Sequence, residues 1–270
     1  MRAVTQHPDG GDRVAAQLHG LGVERGGVLL VHASMRSAGE DAEAMAHALR
    51  RSLGPQGTLV VPSFTPENSD TSPFYLSRVR GLGAEARAAL RAAMPPFDRA
   101  TTPASPSMGR LAETVRLAPE AVRSGHPQTS FAAVGPAAAT LLARHRPDCH
   151  LGEDSPLARL YEADAQVLLL GTGFATCSAF HLAEYRLPAA PRRLYRCVIA
   201  PDGGRRWWEY EDVELDDSDF AALGGDFERA DVTGAVRRGR VGAAPCRLFP
   251  LRAAVDFATG WLVEHRVRAR

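Results

Sequence analysis

Four short apolar runs constrain this chain more than any other feature: "GVLLVHA" (27–33), "GTLVVPSF" (57–64), "TSFAAVG" (129–135) and "AQVLLLG" (165–171). None shows the in-and-out alternation of a half-exposed strand. A strand that is apolar at consecutive positions has to be covered on both faces. The segments between them carry helical spacing instead. Asp12 is placed to cap a helix over "RVAAQLHGL" that Gly22 ends. "GEDAEAMAHALRRSLG" has an acidic start, a basic end and a terminal Gly54. "MGRLAETVRLA" and "PAAATLLARH" continue the alternation. The pattern predicts an α/β fold with a mostly parallel central sheet covered by helices.

Two regions depart from it. Residues 62–106 are rich in Pro, Ser, Thr and Asn, with a short helix expected near "AEARAALRAA"; long irregular segments of this kind are often binding loops. After Pro188, "RLYRCVIA" and "RRWWEYEDVEL" flank "PDGG" as a hairpin. A helix over "DSDFAALGGDFER", a strand pair over "AVRRGRVGAAPCRLFP" and a closing helix over "LRAAVDFATGWLVEH" follow. The C-terminal part therefore reads as an antiparallel extension. With 270 residues and 45% hydrophobic content, the reading is a single domain over 1–270. A subdivision near 188 would separate an α/β core (1–188) from an antiparallel and helical part (189–270).

Charge excludes several functions. The chain has 32 basic residues, all Arg, and 31 acidic ones, a net charge of +1. That balance carries no signature of nucleic-acid or anionic-membrane binding. No apolar run is long enough to span a bilayer, and the first residues lack an apolar signal core. The expected location is the cytoplasm. Cys149, Cys177, Cys197 and Cys246 are scattered without a CxxC pair, which argues against a disulfide framework or structural zinc.

Reactive residues gather where strands end, the place where open α/β sheets bind ligands. His32, Ser34 and Ser37 follow the first strand. Ser63, Thr65, Glu67 and Asp70 follow the second. Thr172, Cys177, His181 and Glu184 follow "QVLLL". If "SAFHLAEYR" is helical, His181 and Glu184 are i,i+3 neighbours. A carboxylate beside an imidazole fixes its tautomer and raises its basicity, as a general base requires. Read from spacing alone, such a pair is more often an ordinary surface pair. A metal reading would need His32, His126, His181 and Glu184 to converge, without HExxH or HxH spacing to support it. A third reading makes Cys177 a nucleophile activated by His181. "GTGFAT" fails as a dinucleotide fingerprint because Thr176 stands at the third glycine position. Ser34 and Ser37 could hold a phosphate or cap a helix. His126 sits in an extended pre-proline context. Glu67, Asp70 and Asp98 suit a cationic ligand, or are solvated loop acids.

At these residues the chain resembles the aminoglycoside 3-N-acetyltransferase family, which is distinct from the GNAT superfamily. Five ordered blocks carry the resemblance: "LLVHASMRSAG", "GTLVVPSFT", "FDRATTPASPSMGRLAETVRLAPEAVRSGHPQTSFAAVGP", "LGEDSPLARLYEADAQVLLLGTG" and "HLAEYR". They run from Gly27 to Glu184, with a weaker likeness to the closing helix. The resemblance implies acetyl-CoA-dependent transfer to an amine, typically the 3-amino group of a 2-deoxystreptamine antibiotic, with no metal. It assigns the HxxE pair to His181 and Glu184, and the strand-end histidine to His32. Ser34, Met35, Ser37, Ser107, Met108, Gly109 and His126 would lie along CoA. Glu67, Asp70, Asp98 and Tyr75, or the acids of "EYEDVE", would meet the acceptor. The chain departs from the family where Cys177-Ser178-Ala179-Phe180 replaces Thr-Ser-Leu before the histidine, and where Phe74 and Tyr75 follow "ENSDTSP" in a shifted register.

The resulting expectation is a direct transfer in which His181, oriented by Glu184, takes the amine proton, and His32 or a backbone N–H meets the oxyanion. The rivals are ping-pong transfer through Cys177, a family acyltransferase for another amine, and a protein that binds drug or CoA without turnover. A monomer or homodimer acting on a small amine, with no nucleic-acid or membrane partner, is expected.

Overall fold

A computed structural model describes residues 8–231 and 234–267. The apolar runs become β1 (Val28–Ala33), β2 (Thr58–Pro62), β4 (Phe131–Val134) and β5 (Gln166–Leu170), with a two-residue β3 (Val122–Arg123) beside β4. The second half adds β6 (Arg192–Ile199), β7 (Arg206–Val213), β8 (Arg237–Val241) and β9 (Ala244–Pro250). Seven strands form one sheet in the order β3-β4-β2-β1-β5-β9-β8. At its centre β1 runs parallel to both β2 and β5.

Consecutive apolar residues serve two cores, one on each face of the sheet. Leu30, Val60, Val167 and Leu169 face a core closed by helices Pro156–Glu162, Phe180–Tyr185, Phe220–Ala230 and Leu251–Leu262. Leu29, Val31, Leu59, Val61, Leu168 and Leu170 face the other, closed by helices Pro8–Leu21, Ala42–Leu53 and Arg110–Arg116. This is why the runs show no polar alternation. The first core draws residues from both sides of position 188.

The antiparallel extension is β8 and β9, with β9 against β5. The hairpin β6–β7 keeps eight cross-strand pairs and forms a sheet of its own. It meets the 62–106 segment through isolated bridges, Ser69 to Cys197 and Phe97 to Ile199.

Three local expectations change. β4 is antiparallel to β2, because Phe131 pairs opposite Pro62 and the chain re-enters the sheet from the end where β2 left it. Asp12 lies inside the first helix, where it pairs with Arg51 at 2.5 Å, because that helix begins at Pro8. The 62–106 segment holds a second helix, Pro73–Arg78, whose Ser72 cap accepts from the Tyr75 N–H. Asp41 does cap helix Ala42–Leu53, with Gly54 at its end. No helix among the described residues is long and apolar enough to cross a membrane.

Candidate active site

The carboxyl ends of β1, β2 and β5 open into one cleft of about 790 Å³. His32, Ser34, Met35 and Arg36 line it after β1, and Pro62 and Phe64 after β2. Thr172, Thr176, Cys177, Ser178 and His181 line it after β5, and Ser107, Met108, Gly109 and Arg110 from the turn Pro106–Met108. Two glycines allow these turns to close on one another. Gly171 has φ +67, and a Cβ there would stand 2.7 Å from the Ser37 Cβ and 3.0 Å from the Ser34 carbonyl. Gly109 has φ +84 and would carry a Cβ 3.2 Å from the Ala33 carbonyl.

His181 and Glu184 share one face of helix Phe180–Tyr185, with His181 Nδ1 2.6 Å from Glu184 Oε2. The carboxylate is buried, and its other oxygen accepts from the Asp216 N–H (3.0 Å) and from Arg266 Nη1 (2.5 Å). A carboxylate saturated in this way has one orientation, and it fixes the imidazole with Nδ1 as the donor. Nε2 is then the free acceptor on a residue that lines the cleft. Phe220 packs on the imidazole ring, centroids 4.7 Å apart.

His32 stands in the same wall. Its Nε2 lies 3.3 Å from Ser178 Oγ. Burial first, and the nearby His181 second, push its pKa down to about 4. It is therefore a neutral imidazole at neutral pH, able to present a polar group without a charge.

The other anticipated residues divide. Ser34, Met35, Ser37, Ser107, Met108 and Gly109 are brought together at the cleft: all but Ser37 line it, and Ser37 Oγ lies 3.4 Å from Ser34 Oγ. His126 is not among them. It is fully buried beside His145 and His150, ring centroids 4.8 and 4.6 Å away, and its Nδ1 accepts the N–H groups of Gln128 and Thr129. The acids from the irregular segment also lie elsewhere. Asp70 is buried and engaged by Arg196 (2.8 and 2.6 Å) and Arg91 (2.7 Å). Asp98 accepts the N–H groups of Ala100 and Thr101, which hold its carboxyl below the usual range together with the Thr101 hydroxyl. Glu67 accepts from the Ser105 hydroxyl, itself 2.9 Å from Ser107, so it braces the turn behind the cleft. Tyr75 packs against Val79, Met94 and Val198. Of the "EYEDVE" acids, Asp212 is buried against His150 and Tyr185.

Two acids line the cleft with His181: Glu40, which pairs with Arg13 at 3.6 Å, and Asp217, from the segment before helix Phe220–Ala230. Asp217 is the one that answers a cationic ligand. It makes no ion pair among the described residues. Its signal in the sequence was the acidic cluster "DDSDF". Arg266 had no such signal. Among the described residues, no group of His, Cys, Asp and Glu is arranged to hold a metal ion. Cys177 is fully buried, and burial pushes its thiol up to about 12.

Residues 30–263 match the family described as aminoglycoside 3-N-acetyltransferase. This chain belongs to that family. Its members are acyltransferases, and so is this protein. The acetyltransferase is 37% identical over 276 residues to aminoglycoside N(3)-acetyltransferase VII of Streptomyces paromomycinus, covering 96% of this chain and 93% of that one. It is 36% identical over 264 residues to the prophage-derived aminoglycoside N(3')-acetyltransferase-like protein YokD of Bacillus subtilis, covering 97% of this chain and 95% of YokD. The crystal structure of YokD superposes with a TM-score of 0.87, over 96% of this chain and all of that one. The acetyltransferase AAC-IIIb in a binary complex with CoASH superposes at 0.80 with 29% identity, covering 94% and 96% of the two chains.

Proposed function

We propose that this enzyme transfers an acetyl group from acetyl-CoA to an amino group of an aminoglycoside, the 3-amino group of 2-deoxystreptamine, in one direct step. The observation that carries the reading is the His181–Glu184 pair, locked at Nδ1 and open at Nε2 on the wall of a large cleft. The names of its relatives, aminoglycoside N(3)-acetyltransferases, supply the acceptor class.

The cleft suits a CoA thioester by its donor set. Ser34, Ser37 and Ser107 offer hydroxyls, Met35 and Met108 offer soft apolar contact, and Arg36 and Arg110 have no ion pair among the described residues. Two free guanidinium groups answer the phosphates of a nucleotide, and the hydroxyls answer an amide-bearing arm. Bound acetyl-CoA would supply the activated acyl group.

The protein's part is proton transfer and charge placement. An aminoglycoside arrives as a polycation, and Asp217 in the cleft wall meets one of its ammonium groups. His181 Nε2 takes the proton of the reacting amine as its nitrogen bonds to the acetyl carbonyl carbon, and Glu184 stabilises the imidazolium that results; the C–S bond then breaks and CoA leaves as the thiol, its sulfur taking the proton back from the imidazolium. His32, neutral in its buried position, and the adjacent Ser178 hydroxyl face the place where negative charge grows on the carbonyl oxygen. Cys177 takes no part in this route: its sulfur is fully buried in the core, packed with Phe174 and Phe180.

The test is release of free CoA thiol from acetyl-CoA, first with a panel of 2-deoxystreptamine aminoglycosides and then with simple amines and amino sugars. Release with an aminoglycoside, abolished in His181→Ala, is the expected result. Release only with other amines would move the acceptor class and point to the Cys177–Phe180 segment. Acetyl-CoA binding with no release from any amine would replace catalysis by sequestration.

A further inference from the structure

Arg266 lies in the single π-helical turn Val263–Val267 that follows the closing helix. It is 82 residues from Glu184 in sequence and in direct contact with it in space. Its guanidinium makes four hydrogen bonds. Nη1 donates to Glu184 Oε1 at 2.5 Å, Nε donates to Asp219 Oδ2 at 2.7 Å, and Nη2 donates to Asp219 Oδ1 and to the Asp216 carbonyl. Its face lies 5.9 Å from the centroid of Phe220, the ring that packs on His181. One side chain thus touches the carboxylate that orients the base, the segment carrying the cleft acid Asp217, and the ring that backs the imidazole.

We propose that Arg266 is a positioning residue for the His181 base: it clamps Glu184 in the orientation that holds Nδ1 and offsets part of its charge. The proposal rests on His181 being the base. The physical argument is one of balance. Glu184 is buried with its second oxygen turned away from the imidazole. Left with only the Asp216 N–H, that carboxylate would rotate, and its full negative charge would act on His181. Arg266 removes both freedoms with one rigid fork, which a lysine ammonium does not reproduce.

The charged groups around the clamp are Glu184 and His181 on helix Phe180–Tyr185, and Glu214, Asp216, Asp217 and Asp219 on the segment after β7. Glu264 and His265 share the turn with Arg266. Carboxylates dominate this set. Removing the guanidinium leaves them uncompensated, so protonation of His181 becomes easier and the imidazole keeps its proton to higher pH.

The experiment follows the imidazole itself. Nitrogen and carbon chemical shifts of His181, assigned by their loss in His181→Ala, are titrated in the wild type and in Arg266→Met. The expected result is a midpoint displaced to higher pH in Arg266→Met, with the Nδ1–H tautomer signature weakened. Arg266→Lys should restore the midpoint while leaving the tautomer population mixed. In steady-state kinetics, Arg266→Met should lower kcat about tenfold, part of the range a general base supplies, with KM for acetyl-CoA changed less than twofold. If Arg266→Met does not fold, Asp219→Asn loosens the clamp from its outer side and should displace the same midpoint in the same direction by a smaller amount. An unchanged midpoint, tautomer and kcat in any folded variant overturns the clamp. Full turnover in His181→Ala would instead overturn the base reading beneath it, and the two failures are separate measurements.

Discussion

Among the described residues, two histidine–carboxylate pairs make nearly the same contact and serve opposite uses. His181 Nδ1 meets Glu184 at 2.6 Å, and His150 Nδ1 meets Asp212 at 2.8 Å. The difference lies at the other nitrogen. His181 is on the cleft wall. His150 Nε2 lies 2.9 Å from the Tyr210 hydroxyl, whose proton goes to Gln128 Oε1, and Tyr195 packs on His150 at a tilt, ring centroids 4.2 Å apart. Asp212 further accepts the Tyr185 hydroxyl at 2.6 Å and the His150 N–H at 2.8 Å. Hydrogen bonds from His150 and Tyr185 outweigh the upward push of burial and hold the Asp212 carboxyl low. With both ring nitrogens held against buried protein groups, the second pair ties hairpin β6–β7 to the helix that carries His181, through Tyr185. A paired imidazole becomes a base only when its second nitrogen is left for a substrate.

Alanine at each histidine separates the two roles, and the first gives the largest effect. His181→Ala should lower kcat by about a hundred- to ten-thousand-fold. Its KM for acetyl-CoA should stay near wild type. Equal loss of turnover and CoA affinity would make His181 a structural residue and erase the contrast.

His150→Ala should do the reverse. It strands a buried carboxylate and the Tyr210 hydroxyl, and a lost partner of a buried charged hydrogen bond costs about 3 kcal/mol. Denaturant unfolding should show that loss, with kcat reduced much less than in His181→Ala. A variant as stable as the wild type would mean the buried pair contributes nothing to docking the hairpin.

The buried cluster also predicts acid lability. Burial first lowers the pKa of His126, His145 and His150, that of His145 to about 3. Unfolded, each would bind a proton near its ordinary 6.5. The folded state therefore binds fewer protons, and its stability falls as pH drops below about 6.5; at His145 the loss is roughly 1.4 kcal/mol per pH unit and continues toward pH 3. His145, held between Ser124 Oγ (2.9 Å) and the His150 carbonyl (2.8 Å), is the one to replace. His145→Gln should flatten the slope in that window; an unchanged slope would assign the lability to other groups.

The sequence was most informative where one property acted locally. Continuous apolar runs named the strands of the central sheet, and "PDGG" named the hairpin, because burial on two faces and turn geometry are written into adjacent residues. The direction of β4 was not, since a strand's sense depends on where the chain re-enters the sheet. His32, His181 and Glu184 could be singled out as candidates because strand ends and i,i+3 spacing are local signals. Asp70 was misplaced as a ligand for substrate because its real partner Arg196 arrives from 126 residues away. Asp212 and His150 are 62 residues apart, and Arg266 and Glu184 are 82 apart. Pairs of that kind acquire meaning only when the fold assembles them.

The smallest effect belongs to Cys177, and it decides between the two routes of acyl transfer. The thiol shares the first core with Phe174 and Phe180 and is fully buried. A covalent route needs it as a thiolate that can reach the acetyl carbonyl; burial pushes the thiol up to about 12 and leaves no sulfur surface exposed. Removing the sulfur costs packing alone, about 1 kcal/mol by comparison with small deletions in cores. Cys177→Ala should therefore keep kcat within about twofold and melt slightly lower. The wild type, held with acetyl-CoA and no acceptor, should show no added acetyl mass. An acetylated wild type that Cys177→Ala cannot form would move the chemistry from the imidazole pair to the thiol, and His181 would then serve the sulfur rather than the amine.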